Sequence, residues 1–288
     1  MLSCGLAFVG LTGIVRYIGT DLPASQQAFL RFAFGLVFLA PALVGLLRQG
    51  VPKGALRLVA MRGVVHVVAV SCWFFAMARL PVAEVTAIGY LNPVLVMLGG
   101  ALVFGERLTA TRIASVLIAL AGAAVILRPG LREIGAGQLA QLTAATFFAC
   151  SYLFGRKLSR ILPASGVVAL LSVTSTLGLL PLALWSWQPP SGQQLAMLAG
   201  TAALGSYAHY AMTRAFAAAP LAVTQPVTFL QIVWASLLGW LVFGEAVDIW
   251  VILGAATIIL AIALSTFSEA RLTVAKGRET ARAGLVAD

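Results

Sequence analysis

Between Ile161 and Thr213 the chain carries no charged side chain. That run exceeds one membrane crossing, because about 20 apolar residues suffice for a hydrocarbon core of roughly 30 Å. The segment Trp185-Ser-Trp-Gln-Pro-Pro-Ser-Gly-Gln-Gln194 divides it. Aromatics followed by Pro-Pro and Gly read as an interfacial belt and a tight loop, so two helices are expected to flank it.

The rest of the chain follows the same pattern. Of 288 residues, 61% are hydrophobic and only 10% charged, with mean hydropathy +1.00. A soluble domain carries roughly 25% charged residues. A soluble enzyme, a nucleic-acid-binding protein and a disordered chain are therefore excluded, and a β-barrel lacks its alternating segments. At about 28 residues per span and loop the length holds about ten spans. The expected fold is all-α and integral to the membrane. Its spans fall near 1–20, 25–47, 56–78, 82–104, 108–127, 137–155, 165–187, 194–216, 221–243 and 247–267. Pro23, Pro52, Pro81, Pro129, Pro163 and Pro220 punctuate them. Cys4, Cys72 and Cys150 lie in apolar runs, and an odd count there points to free thiols. The N-terminus reads as the first span and not as a cleaved signal peptide.

The formal charge of +10 has the look of a nucleic-acid signal, but its distribution says otherwise. On the side of both termini lie Arg48, Lys53, Arg57, Arg62, Arg107 and Arg112. Arg156, Lys157, Arg160, Arg214 and four tail residues bring that side to 14. The opposite side has 4, namely Arg16, Arg79, Arg128 and Arg132, and Arg31 sits within a span. The positive-inside rule then places both termini in the cytoplasm.

Val103-Phe-Gly-Glu106 recurs as Val242-Phe-Gly-Glu245 at an offset of 139 residues. Pro81, Ala83 and Gly100 match Pro220, Ala222 and Gly239 at that offset. Ser25 and Pro41 match Ser165 and Pro181 one residue further on. Five spans per half force the second half to enter from the other side, an inverted-topology repeat of the kind secondary transporters use. Residues 1–130 and 131–268 form the two halves, and 269–288 form a polar cytoplasmic tail.

Arg31-Phe32, the Pro81-Val-Ala-Glu-Val-Thr-Ala opening of span 4, Asn92-Pro93, and the Phe-Gly-Glu-Arg-Leu-Thr109 close with its echo at Phe243-Gly-Glu245 carry a resemblance. The chain resembles ten-span members of the drug/metabolite transporter superfamily with two EamA-type domains. Within it, the chain is similar to bacterial exporters of amino acids and related metabolites, including the YddG type. The resemblance implies an inner-membrane protein with a cavity between the halves, lined by spans 1, 3, 4, 6, 8 and 9. Leu171 and Ile232 stand where Arg31 and Pro93 would repeat, so the halves are not equivalent.

Polar groups at membrane depth require a partner or a water-filled cavity. Asn92 follows Tyr90, and Pro93 frees the carbonyl of residue 89. The repeat maps Asn92 onto Gln231 and Tyr90 onto Phe229. This pair of midplane amides is the leading substrate site, against a competing reading as interhelical bonds. His66 and Trp73 in span 3 and Tyr207, His209 and Tyr210 in span 8 are further candidates, with Gln225 in span 9. Tyr207 and His209 point to different faces, so one of them is expected to line the pathway. Ring faces and amides suit amphipathic zwitterions. Arg31 either binds a substrate carboxylate or snorkels, with a structural role favoured. Glu106 and Glu245 complement helix dipoles, Glu84 is a possible gate at the mouth of span 4, and Trp234, Trp240 and Trp250 face lipid.

No Asp or Glu falls near mid-span, which favours a facilitator, with histidine-based proton coupling the alternative. No nucleotide-binding or metalloprotease motif occurs and no cofactor or metal is expected. The partners expected are small solutes, amino acids foremost, and lipid. A membrane-embedded enzyme or a non-transporting scaffold is the different-class alternative. Two halves in one chain suit a monomer or weak homodimer, although Gly122, Gly254 and Ala255 offer small-residue faces.

Overall fold

The computed structural model describes residues 2–104, 110–128, 133–158, 160–218, 230–264 and 267. Every regular element among them is helical. In chain order they are α1 (Leu2–Ile18), α2 (Ala24–Gln49), α3 (Lys53–Met77), α4 (Val82–Gly89), α5 (Leu91–Phe104) and α6 (Ala110–Leu127). Then follow α7 (Ala136–Leu158), α8 (Ala164–Trp185), α9 (Gly192–Ala218), α10 (Gln231–Phe243) and α11 (Ile249–Leu264).

Proline sets the helix starts. Pro23, Pro52, Pro81 and Pro163 are the N-caps of α2, α3, α4 and α8, with φ between −54° and −63°. The ring fixes a φ that suits helix entry, and the missing N–H costs nothing where no acceptor is available. Gly50 (φ 83°) and Gly244 (φ 63°) end α2 and α10 in backbone conformations that a side chain would strain. Among the described residues three stretches are long and apolar enough to cross a bilayer: Ala24–Gln49, Gly54–Met77 and Ala164–Trp185. The expected span 82–104 is two helices, broken at Tyr90. The break falls where Pro93 cannot donate to the carbonyl of Gly89.

α3 packs along α7, α2 along α8 and α1 along α9, and these three pairs form the body of the bundle. A second core joins α4 and α5 to α6 and α11 through Ile88, Val94, Ile126 and Ile258. Gly122 and Gly254 meet there backbone to backbone. A Cβ on Gly122 would stand 2.8 Å from the Gly254 carbonyl oxygen, and one on Gly254 would stand 2.5 Å from that of Gly122. These faces are used inside the chain and do not offer an oligomer contact. Gly122→Val is expected to cost about 1–3 kcal/mol through overpacking. Its measure is the melting temperature in detergent, and an unchanged value contradicts this packing.

One end of the bundle is latched. Arg16 Nε donates to Glu245 Oε1 at 3.0 Å, and the backbone N–H of Val82 donates to Oε2 at 2.9 Å. Glu245 thus meets a helix dipole as its position suggested, but the dipole is that of α4, held from across the bundle. Arg128, at the end of α6, pairs with Asp248 at the same end. Arg62 departs from its expected place among the loop charges. It lies two turns into α3, 8% exposed, donating to Ser151 Oγ and to the Val167 carbonyl, each at 3.4 Å. Trp234 likewise turns inward, against the cluster of Val9, Val82 and Ala235. Trp240 and Trp250 are exposed as expected.

Candidate functional site: a cavity of rings and amides

A cavity of about 270 Å³ lies among α1, α3, α4, α5, α7, α9 and α10, with Arg31 reaching it from α2. Helical spacing explains the contributions. Gly5, Phe8 and Thr12 recur on one face of α1, His66, Val70 and Trp73 on one face of α3, and Gln141, Ala145, Phe148 and Tyr152 on one face of α7. All the lining residues of α1 precede the latch residue Arg16. Fully buried Val15 lies on α1 between Thr12, the last lining residue of that helix, and Arg16.

One wall is aromatic. Trp73 meets Phe148 edge-on at 5.8 Å between ring centroids, and Phe148 stacks on Tyr152 at 6.3 Å. His66 stands edge-on to Phe32 and Phe148 at 5.8 and 5.3 Å, and its Nδ1 lies 3.1 Å from Ser151 Oγ. Opposite them, His209 meets Phe8 edge-on at 5.5 Å. Such contacts fix ring orientation and leave other ring faces to a solute.

The amides form the second wall. Asn92, in the first turn of α5, donates from Nδ2 to the Ala145 carbonyl at 3.0 Å. Tyr90, at the helix break, hydrogen-bonds the backbone of Ile232. Beside Ile232, Gln231 opens α10 and lines the cavity. Gln141 Nε2 donates to the Val85 carbonyl at 2.9 Å while its Oε1 is buried without a hydrogen bond. Among the described lining residues none is a carboxylate.

The cavity thus gathers Asn92, Gln231, Tyr90, His66, Trp73, His209 and Arg31 from the sequence candidates. Tyr207 is corrected: half exposed, it lies outside the lining, because two residues turn a helix about 200° away from the His209 face. Glu84 is corrected as well. It is 3% exposed and accepts from Gln138 Nε2 at 3.1 Å, a buried tie between α4 and α7 away from the lining. Phe229, Gln225 and Glu106 lie outside the described residues, as do the side chains of Tyr210 and Pro93. Arg31 does not snorkel; it is 7% exposed and borders the cavity. Phe8, Gln141, Phe148 and Tyr152 line the cavity without standing among the sequence candidates above. The Gln141–Ala145–Phe148–Tyr152 stripe was the signal that places α7 against the cavity.

Residues 1–128 and 135–267 match the EamA-like transporter family. The chain belongs to that family. It is a multi-pass membrane protein that transports small metabolites, and it is not an enzyme. A riboflavin transporter of Vibrio cholerae is 31% identical over 94% of this chain and 93% of its own length. A pseudopaline exporter of Pseudomonas aeruginosa is 29% identical over 90% and 92%. An S-adenosylmethionine uptake transporter of Rickettsia prowazekii is 24% identical over 88% and 86%. A solved crystal structure with 21% identity shares the fold, with a TM-score of 0.59 over 94% of this EamA-family chain and 98% of that one.

Proposed function

We propose that this chain carries a small, flat aromatic metabolite across the bacterial inner membrane by alternating access, with flavins the first class to test. The observation that supports this is a single cavity lined both by the rings of Trp73, Phe148 and Tyr152 and by the amides of Asn92, Gln141 and Gln231. A flavin has an apolar ring face and an edge of hydrogen-bonding groups. That pairing is what stacking rings and convergent amides recognise. The similarity to riboflavin transporters over nearly the whole chain supports the same choice. Aromatic amino acids are the second reading, favoured by ring faces able to take an ammonium by cation–π attraction.

Ten spans in two inverted halves supply the alternation. With α4 and α5 counted as one span, exchanging the halves swaps α1 with α7, α2 with α8 and α3 with α9. Counted so, α3–α7 becomes α9–α1, and α2–α9 becomes α8–α3. Both members of each pair are in contact. The exchange also maps Arg16, Val82 and Glu245 onto Arg156, Leu221 and Glu106, at offsets of 140 and 139. Both termini are cytoplasmic in this arrangement.

Flux in proteoliposomes tests the reading. Saturable movement of riboflavin down its gradient, unchanged by a pH gradient, is expected. Flux driven by the pH gradient replaces the facilitator with proton coupling through His66 or His209. Movement of aromatic amino acids but not riboflavin selects the second reading, and no flux of either class overturns both. A reporter fusion that places the C-terminus outside overturns the topology.

A further inference from the structure

Arg31 is the cavity residue whose chemistry the ring and amide walls do not use. It is 7% exposed, and its Nε is buried without a hydrogen-bond acceptor. No ion pair engages it among the described residues. Its Cζ lies 4.3 Å from the Phe32 ring centroid, and its guanidinium rests against Gly205 of α9, where a Cβ would come within 2.6 Å of Nη2. The missing side chain at Gly205 thus leaves the room the fork occupies.

We propose that Arg31 is an anion subsite, and that the preferred solute joins an aromatic ring to a carboxylate or phosphate group. This rests on the reading of the cavity as a transport site and narrows its substrate class. A buried guanidinium without a counter-charge costs several kcal/mol, so its retention asks for an anion to complete it. Among the described residues the surroundings supply none. The described lining has no carboxylate, Glu84 is tied to Gln138, and Arg62 adds a second buried cation beyond the ring wall. Asn92 and Gln231 sit in the first turns of α5 and α10, so two helix N-termini add positive potential to the same cavity. The planar fork matches either anion through two parallel N–H donors.

Matched pairs of probes test this on the purified full chain, by quenching of intrinsic tryptophan fluorescence or by calorimetry. Riboflavin and its 5′-phosphate differ by a phosphate, and N-acetyltryptophanamide and N-acetyltryptophan by a carboxylate. The anionic member of at least one pair is expected to bind about tenfold tighter, the yield of one charge-assisted contact. Preference in the flavin pair alone identifies phosphate, and in the tryptophan pair alone identifies carboxylate. Arg31→Gln is expected to weaken the anionic member until the pair differs by less than about twofold. If that variant does not fold, Gly205→Ala keeps the charge, displaces the flexible end of Arg31, and is expected to shrink the preference. Preference in the tryptophan pair with no binding of either flavin keeps the anion subsite and rejects the flavin reading. Equal binding within both pairs, no binding of any probe, or a preference that survives Arg31→Gln and Gly205→Ala overturns the subsite.

Discussion

Glu245→Ala is expected to open the Arg16 end of the cavity. The carboxylate takes two donors at once, Arg16 Nε at 3.0 Å and the Val82 N–H at 2.9 Å. Arg16 also donates to the Ala78 carbonyl at 3.2 Å, so α1, the start of α4 and the end of α10 meet at one point. The two side chains are only 26% and 12% exposed, which limits screening. Losing a pair of charge-assisted bonds costs about 2–4 kcal/mol, enough to shift a two-state equilibrium by one to three orders of magnitude. A cysteine at Thr12, in a chain whose native cysteines are serine, reports the shift. An impermeant maleimide added from the Arg16 side should label it at least about tenfold faster in Glu245→Ala. Unchanged labelling sinks the latch.

How much of this could be read beforehand depended on the kind of force. Helix starts were legible because proline acts locally: Pro23, Pro52, Pro81 and Pro163 set φ and remove a donor wherever the chain goes. The break at Tyr90 followed from Pro93 by the same reasoning. Arg62 was not legible. Near the start of a helix it counts as a loop charge under any charge-sorting rule, and only α7 and α8, which bring Ser151 and the Val167 carbonyl, make burial tolerable. Glu84 and Gln138 are 54 residues apart, so their bond has no local signature. Tyr207 and His209 show the opposite case, because helical geometry alone required them to part. The partner of Glu245 was hidden for the same reason as that of Glu84. A dipole was expected nearby in sequence, and the one whose N–H donates to the carboxylate begins 163 residues away, at Val82.

The amide pair separates transport from folding most sharply. Asn92 donates one hydrogen bond, to the Ala145 carbonyl in α7, and borders the cavity; Gln231 borders it from the first turn of α10. Truncating Asn92 leaves that carbonyl to water in the cavity, so the stability cost should stay near about 1 kcal/mol. If both amides hold solute, each loses one bond to it, or about 1–1.5 kcal/mol and roughly tenfold in the apparent affinity of flux. Asn92→Ala and Gln231→Ala are therefore each expected to raise the half-saturating concentration about tenfold at near-normal expression. The double variant should lie near a hundredfold, since the two amides sit on different helices, α5 and α10, and additivity holds for independent sites. Lost expression with normal flux per molecule assigns the amides to helix packing. Normal affinity in both single variants removes them from the solute path and leaves the aromatic wall as the recognition element.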